Sequence, residues 1–192
     1  MSNQDTKTTQ AGVQLAEQTA LELFQLASLL TGEQKVALEL VEQIIATMEV
    51  DPCTVVPGDE KKAYKRLIHK VFGWMVARDA AVFSVSLYMT PVNSCVETDD
   101  VQSSGISSER MEELLSEPYR EQLRAWLNQL PMAERAVFVE RVMVGVDSRT
   151  TAEDLAAASG QPWTAESVSV CFRSALCSLA NQLAHSVSPQ QA

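Results

Sequence analysis

Apolar positions recur along this chain at three- and four-residue spacing, the period of helices with one buried face. Leu15, Ala16, Thr19, Leu23, Leu26, Ala27 and Leu30 share one side of a helix expected over 13–30, which Thr31-Gly32 breaks. A second helix is expected from Glu33 to about Glu49, with Val36, Leu40, Ile44 and Met48 as its stripe. Pro52, Pro57 and Gly58 then make a loop. A third, expected from Glu60 to about Leu87 with Asp59 as its cap, turns Leu67, Ile68, Val71, Phe72, Met75 and Val76 inward. Farther on, Leu123, Trp126, Leu127 and Leu130 mark a helix closed by Pro131. Glu134 to Val144 follows as another, stopped by Gly145. Thr151 is the expected N-cap of a short helix, with Asp154 in the place of a capping-box acid. That helix runs from Ala152 to Ala158 and ends at Gly160, and Thr164 caps a long final helix.

These elements predict an all-α protein of two small helical domains: a three-helix bundle over 13–87 and a helix-turn-helix domain over 118–186. Residues 88–117 hold Pro91, a Ser-Ser-Gly break and many acids, and read as an acidic linker. Residues 1–12 and 187–192 read as tails, the first of them disordered. Hydrophobic residues make up 46% of the 192, enough to bury cores, and 21% are charged. No apolar run is long enough for a membrane span, and the polar start MSNQDTKTTQ has no apolar segment of a secretory signal. Cys53, Cys95, Cys171 and Cys177 have no metal-ligand spacing, so reduced thiols in a cytoplasmic protein are expected. No glycine-rich phosphate loop or nucleophile elbow is present, and His69 and His185 lie in different domains. The expectation is a protein that is not an enzyme and uses no metal or cofactor.

Charge changes this picture, because the net of −10 is segregated. Residues 1–60 carry ten acids and two bases, whereas 61–78 carry six bases and no acid. Residues 79–117 return to eight acids against one base. Helical offsets of three, four and eight place Lys62, Lys65, Arg66 and Lys70 on one face. On charge alone, that face fits either nucleic acid or a solvated surface paired with its acidic neighbours.

The run LNQLPMAERAVFVERVMVGV followed by TAEDLAAASG resembles the fourth conserved region of extracytoplasmic-function sigma factors of bacterial RNA polymerase. Leu130, Pro131, Arg135, Val137, Phe138, Gly145, Glu153, Leu155, Ala156, Gly160 and Val168 match in order, with a slightly longer spacing from Gly160 to Val168 than the family's. LFQLASLLTGEQKVALELVEQIIATM is similar to the start of the second conserved region. There the resemblance implies that Glu39, Glu42 and Gln43 bind the polymerase β′ subunit, with the family's glutamine-glutamate pair reversed. KRLIHKVFGWMVARDA is similar to the basic helix that opens the −10 promoter element, although Lys70 and Trp74 stand where the family has asparagine and aspartate. The resemblance covers about two thirds of the chain, and its apolar framework fits better than its DNA-contacting positions.

The resemblance implies a sigma factor that binds core RNA polymerase and directs initiation at promoter DNA, with an anti-sigma factor as a further partner. Its DNA-binding residues would be Lys62, Lys65, Arg66 and Lys70 in the first domain and Ser167, Ser169 and Arg173 in the second. Arg173 is the sole charge in SVSVCFRSALCSL, a sparse supply for phosphate contact. That sparseness and the acidic balance also fit a sigma-like interaction protein that has lost promoter reading and acts as a decoy or regulator.

Overall fold

The computed structural model describes residues 3–47, 59–89 and 119–186, and these are helical throughout apart from short turns, with no strand among them. The chain divides into two compact units, Met1–Trp74 and Met75–Ala192.

In the first unit, α1 (Asn3–Thr31) and α2 (Gln34–Thr47) pack as a helical hairpin. Gly32, at φ 72°, makes the turn between them, and the Thr31 hydroxyl donates to the Ala27 carbonyl at 2.8 Å. Leu23, Leu26, Ala27 and Leu30 of α1 are buried, as are Ala37, Leu40, Val41 and Ile44 of α2. The expected stripes are therefore present from Leu23 on, whereas Ala16 is exposed, Thr19 and Val36 are half-buried, and the Leu15 side chain and Met48 lie outside the described residues. The disordered tail expected over 1–12 is corrected, because α1 already begins at Asn3. Once a helix exists, each further residue adds a hydrogen bond without a new nucleation cost, so a polar stretch extends it.

A third helix, α3 (Asp59–Arg78), buries Ala63, Leu67, Ile68, Val71 and Phe72. The Tyr64 hydroxyl ties it to α1 by donating to Glu22 Oε2 at 2.6 Å. It ends at Arg78, well short of the expected boundary at Leu87. Asp79 leaves helical geometry and its carboxylate accepts from the Ala81 N–H at 3.1 Å, capping the first of two 3₁₀ turns, Ala80–Phe83 and Val85–Tyr88. Aspartate serves a cap better than a helix interior.

In the second unit these turns bury Phe83, Val85 and Tyr88. The first packs on α5 (Met132–Val139) and the second on α7 (Ala165–Ser186). Upstream of α5, α4 (Tyr119–Gln129) has the expected buried side of Leu123, Trp126 and Leu127, continued by Leu130 just beyond it. Trp126 meets Phe138 edge-on at 4.8 Å between ring centres, and Phe138 reaches Phe172 of α7 at 6.1 Å.

Two local expectations change here. The helix expected over 134–144 is α-helical only to Val139. It widens into a π turn, Glu140–Val144, before Gly145 ends it at φ 77°. The cap of α6 (Ser148–Ser159) is Asp147, whose carboxylate accepts from the Thr150 N–H at 2.8 Å. Thr151 and Asp154, read from sequence as the cap and its partner, lie inside that helix and are buried. The aspartate at 147 starts the helix one turn earlier, leaving 151 and 154 on its inner side.

Two glycines should respond in opposite directions. A Cβ at Gly73, inside α3, would meet nothing within 4 Å. Gly73→Ala should therefore raise stability by about 1 kcal/mol. Gly160 turns the chain between α6 and α7 at φ 67°. Gly160→Ala should lower stability by about 1 kcal/mol, since an L side chain resists that conformation even in open space. Urea unfolding of both variants checks the pair.

Candidate functional site

The outer surface of α2 carries Glu39, Glu42 and Gln43, all exposed. On α3, Lys62, Lys65, Arg66 and Lys70 are exposed together with His69, while Tyr64 and Trp74 are half-buried. Periodicity explains the division, because the buried Ala63, Leu67, Ile68 and Val71 alternate with these cations along the helix. Lys70 Nζ donates to Gln43 Oε1 at 3.0 Å. The expected polymerase-binding edge and the expected DNA-binding face therefore meet on one surface of the first unit.

The second unit holds the helix-turn-helix outline: α6, the left-handed turn at Gly160, and α7. Thr164 and Ser167 form a reciprocal cap at the start of α7. The Ser167 N–H donates to Thr164 Oγ1 at 3.2 Å, and the Thr164 N–H donates to Ser167 Oγ at 2.9 Å. Ser167 is only 2% exposed. Its hydroxyl serves the helix start and is not offered to a base edge, which corrects its reading as a surface donor. Ser169 is half-buried and donates to the Ala165 carbonyl at 2.8 Å, with Ser148 Oγ 3.5 Å away. Arg173 is half-buried. Glu166 is exposed in the first turn of α7, where a carboxylate opposes phosphate. Trp163 is buried and stacks on Tyr88 at 5.6 Å between ring centres.

Sequence reasoning missed the charges placed inside this unit. Glu134, Arg135 and Glu140 are buried along α5 and the π turn. Glu134 accepts from Ser174 of α7 at 2.9 Å and also from Tyr88, and burial pushes its carboxyl above the ordinary range. Burial likewise raises the Tyr88 hydroxyl, helped by Cys171 and Glu134 beside it. Arg135 donates to the Asn128 carbonyl at 2.9 Å, and burial lowers its guanidinium. Glu140 is pushed up to about 8, first by burial and then by the neighbouring Asp154. The signal available was the run AERAVFVERV itself, in which acids and arginines interrupt an otherwise apolar segment.

Cysteine chemistry also departs from expectation. Cys171 is buried and free, and burial holds its thiol well above the usual range, so it is no nucleophile. Cys177 is disulfide-bonded, with its partner outside the described residues. The expectation of four reduced thiols is thereby corrected, and the cysteines no longer point to a reducing compartment. Among the described residues no group of three His, Cys, Asp or Glu side chains is placed to hold a metal ion. No described helix is long and apolar enough to cross a membrane.

No protein-family model matches the chain, and no curated protein or solved structure matches it either.

The capping role of Ser167 is open to a direct check. Ser167→Ala should cost about 1 kcal/mol of stability, within the usual range for a lost N-cap partner. Thermal unfolding reads the cost, and the salt dependence of any DNA binding should stay unchanged.

Proposed function

We propose that the protein acts as a sigma factor of the extracytoplasmic-function type, binding core RNA polymerase and directing initiation at promoter DNA. The observation that carries this reading is the surface of the first unit, where exposed Lys62, Lys65, Arg66 and Lys70 adjoin exposed Glu39, Glu42 and Gln43. Acidic and amide side chains on α2 suit a basic polymerase surface, and a row of cations on α3 suits phosphates. The resemblance in sequence supports assigning the first group to the β′ subunit and the second to DNA near the start site. The helix-turn-helix outline of the second unit supports a second DNA contact, with Ser169 and Arg173 as its available polar groups.

A second reading is favoured by one specific feature. The start of α7 offers phosphate little, with Ser167 buried, Glu166 exposed and Arg173 the one cation between Ala165 and Leu179. A sigma-like protein that binds polymerase or an anti-sigma factor, without reading promoters, would need no more than this. As a decoy or regulator it would keep the α2 edge and dispense with the cations of α3.

Two charge variants test these readings, and the second separates them. Glu39→Arg should abolish co-purification with core polymerase wherever polymerase is the partner, leaving helicity by circular dichroism unchanged. The triple variant Lys65→Glu, Arg66→Glu, Lys70→Glu should eliminate promoter opening by holoenzyme while preserving its assembly. Its fold should survive, since exposed charges contribute at most about 1 kcal/mol each. Unchanged opening by the triple variant would remove the α3 face from the mechanism.

A further inference from the structure

On the surface of the first unit, two ridges of opposite charge adjoin. The α2 ridge exposes Glu39 and Glu42, and the α3 ridge exposes Lys62, Lys65, Arg66 and Lys70. No acid stands between residues 61 and 78. The hydrogen bond from Lys70 Nζ to Gln43 Oε1, at 3.0 Å, fixes the junction between them. An offset of four returns to the same side of a helix. Glu39 therefore lies one turn from Gln43 on its side of α2, and Arg66 one turn from Lys70 on its side of α3.

The ridges do not neutralise each other. An amide, not a carboxylate, meets Lys70 at the junction. The side chains of Glu39, Glu42, Lys65 and Arg66 make no hydrogen bond or ion pair with the described residues. The acidic ridge also carries open apolar area. Leu38 and Ile45 are 49% and 42% exposed, and they share one side of α2 with Glu42, which lies four and three residues from them. A contact on this ridge would remove that area from water.

A partner of a single sign fits one ridge and leaves the other facing its like. A second copy of the same surface fits both. Turned about a two-fold axis between α2 and α3, it brings acids onto cations, and the same contact repeats in reverse. We propose that this face of the first unit associates with its equivalent on a second copy of the chain, α2 on α3 and α3 on α2. The net charge of −10 opposes contacts that lack such matching, so the ridges set the register. Exposed ion pairs are individually weak and are screened by salt, so the association is reversible and falls as salt rises.

The association stands on the surface alone, whether or not the chain acts in transcription. A consequence follows that rests on the proposed function. Glu39, Glu42, Lys65 and Arg66 cannot serve a second copy and polymerase or DNA at once, so pairing holds the protein away from the promoter.

Sedimentation velocity of the full chain tests the association itself. At low salt and rising concentration, the wild type should pass from a single chain to a particle of twice the 21.1 kDa mass. Salt of about 1 M, which shortens screening to about 3 Å, should return it to a single chain. Two double variants make the ridges alike: Glu39→Lys with Glu42→Lys, and Lys65→Glu with Arg66→Glu. Each should stay single where the wild type is paired, and the two mixed in equal amounts should pair with each other. All four substitutions in one chain exchange the ridges at unchanged net charge, and that variant should pair again. Circular dichroism checks that each variant keeps its helicity. A wild type that stays single at every concentration, or double variants that pair as it does, would overturn the proposal. So would a helical exchanged variant that stays single.

Discussion

The second unit depends on a helix with no wet side. From Ala133 to Glu140 every residue is buried, through the whole of α5 after its first position and into the π turn. A segment buried all round must satisfy its polar groups inside the protein, because an unpaired buried charge costs several kcal/mol. Here two of the three charges are answered, each from a different neighbour. Glu134 is answered from α7 and the second 3₁₀ turn, and Arg135 from the end of α4. The aliphatic residues and Phe138 supply the apolar contact, which is non-directional, whereas Glu134 and Arg135 fix which element lies on which side.

This arrangement bears on how the two candidate surfaces are built. In the first unit, the candidate residues lie on the outside of helices whose inner faces form an ordinary apolar core, so their charges can change with little effect on folding. In the second unit, polar groups that resemble recognition residues are partly consumed by structure. Ser167 caps α7, and Ser174 satisfies Glu134. A family-like framework can therefore persist while the side chains free to touch a nucleic acid become few.

Much of the helical layout was legible in the sequence, and the reasons are local. Gly32, Gly145 and Gly160 punctuate helices at positive φ, as glycine after an apolar repeat implies. Thr164 caps the last helix, and the stripes at 23–30, 40–44 and 123–130 are buried as their period requires. What stayed hidden depends on partners distant in the chain. Phe83, Val85 and Tyr88 continue an apolar helical pattern in sequence, yet they form 3₁₀ turns because α5 and α7 provide surfaces for them. Asp154 looked like a capping-box acid because Asp147, which holds the cap, stands a full turn before the expected start. Ser167 looked available because a hydroxyl's partner cannot be read from composition. The candidate polymerase and DNA residues were found in their expected exposed positions on α2 and α3, and the contact between Gln43 and Lys70 required the fold.

The central claim is that this chain gives core RNA polymerase a promoter preference. Multi-template run-off transcription, with purified core polymerase and a genomic fragment library, addresses it most directly. The account predicts transcripts that begin at a discrete set of start sites and appear only when the full-length protein is added. Products identical in number and position to those of core polymerase alone would contradict it.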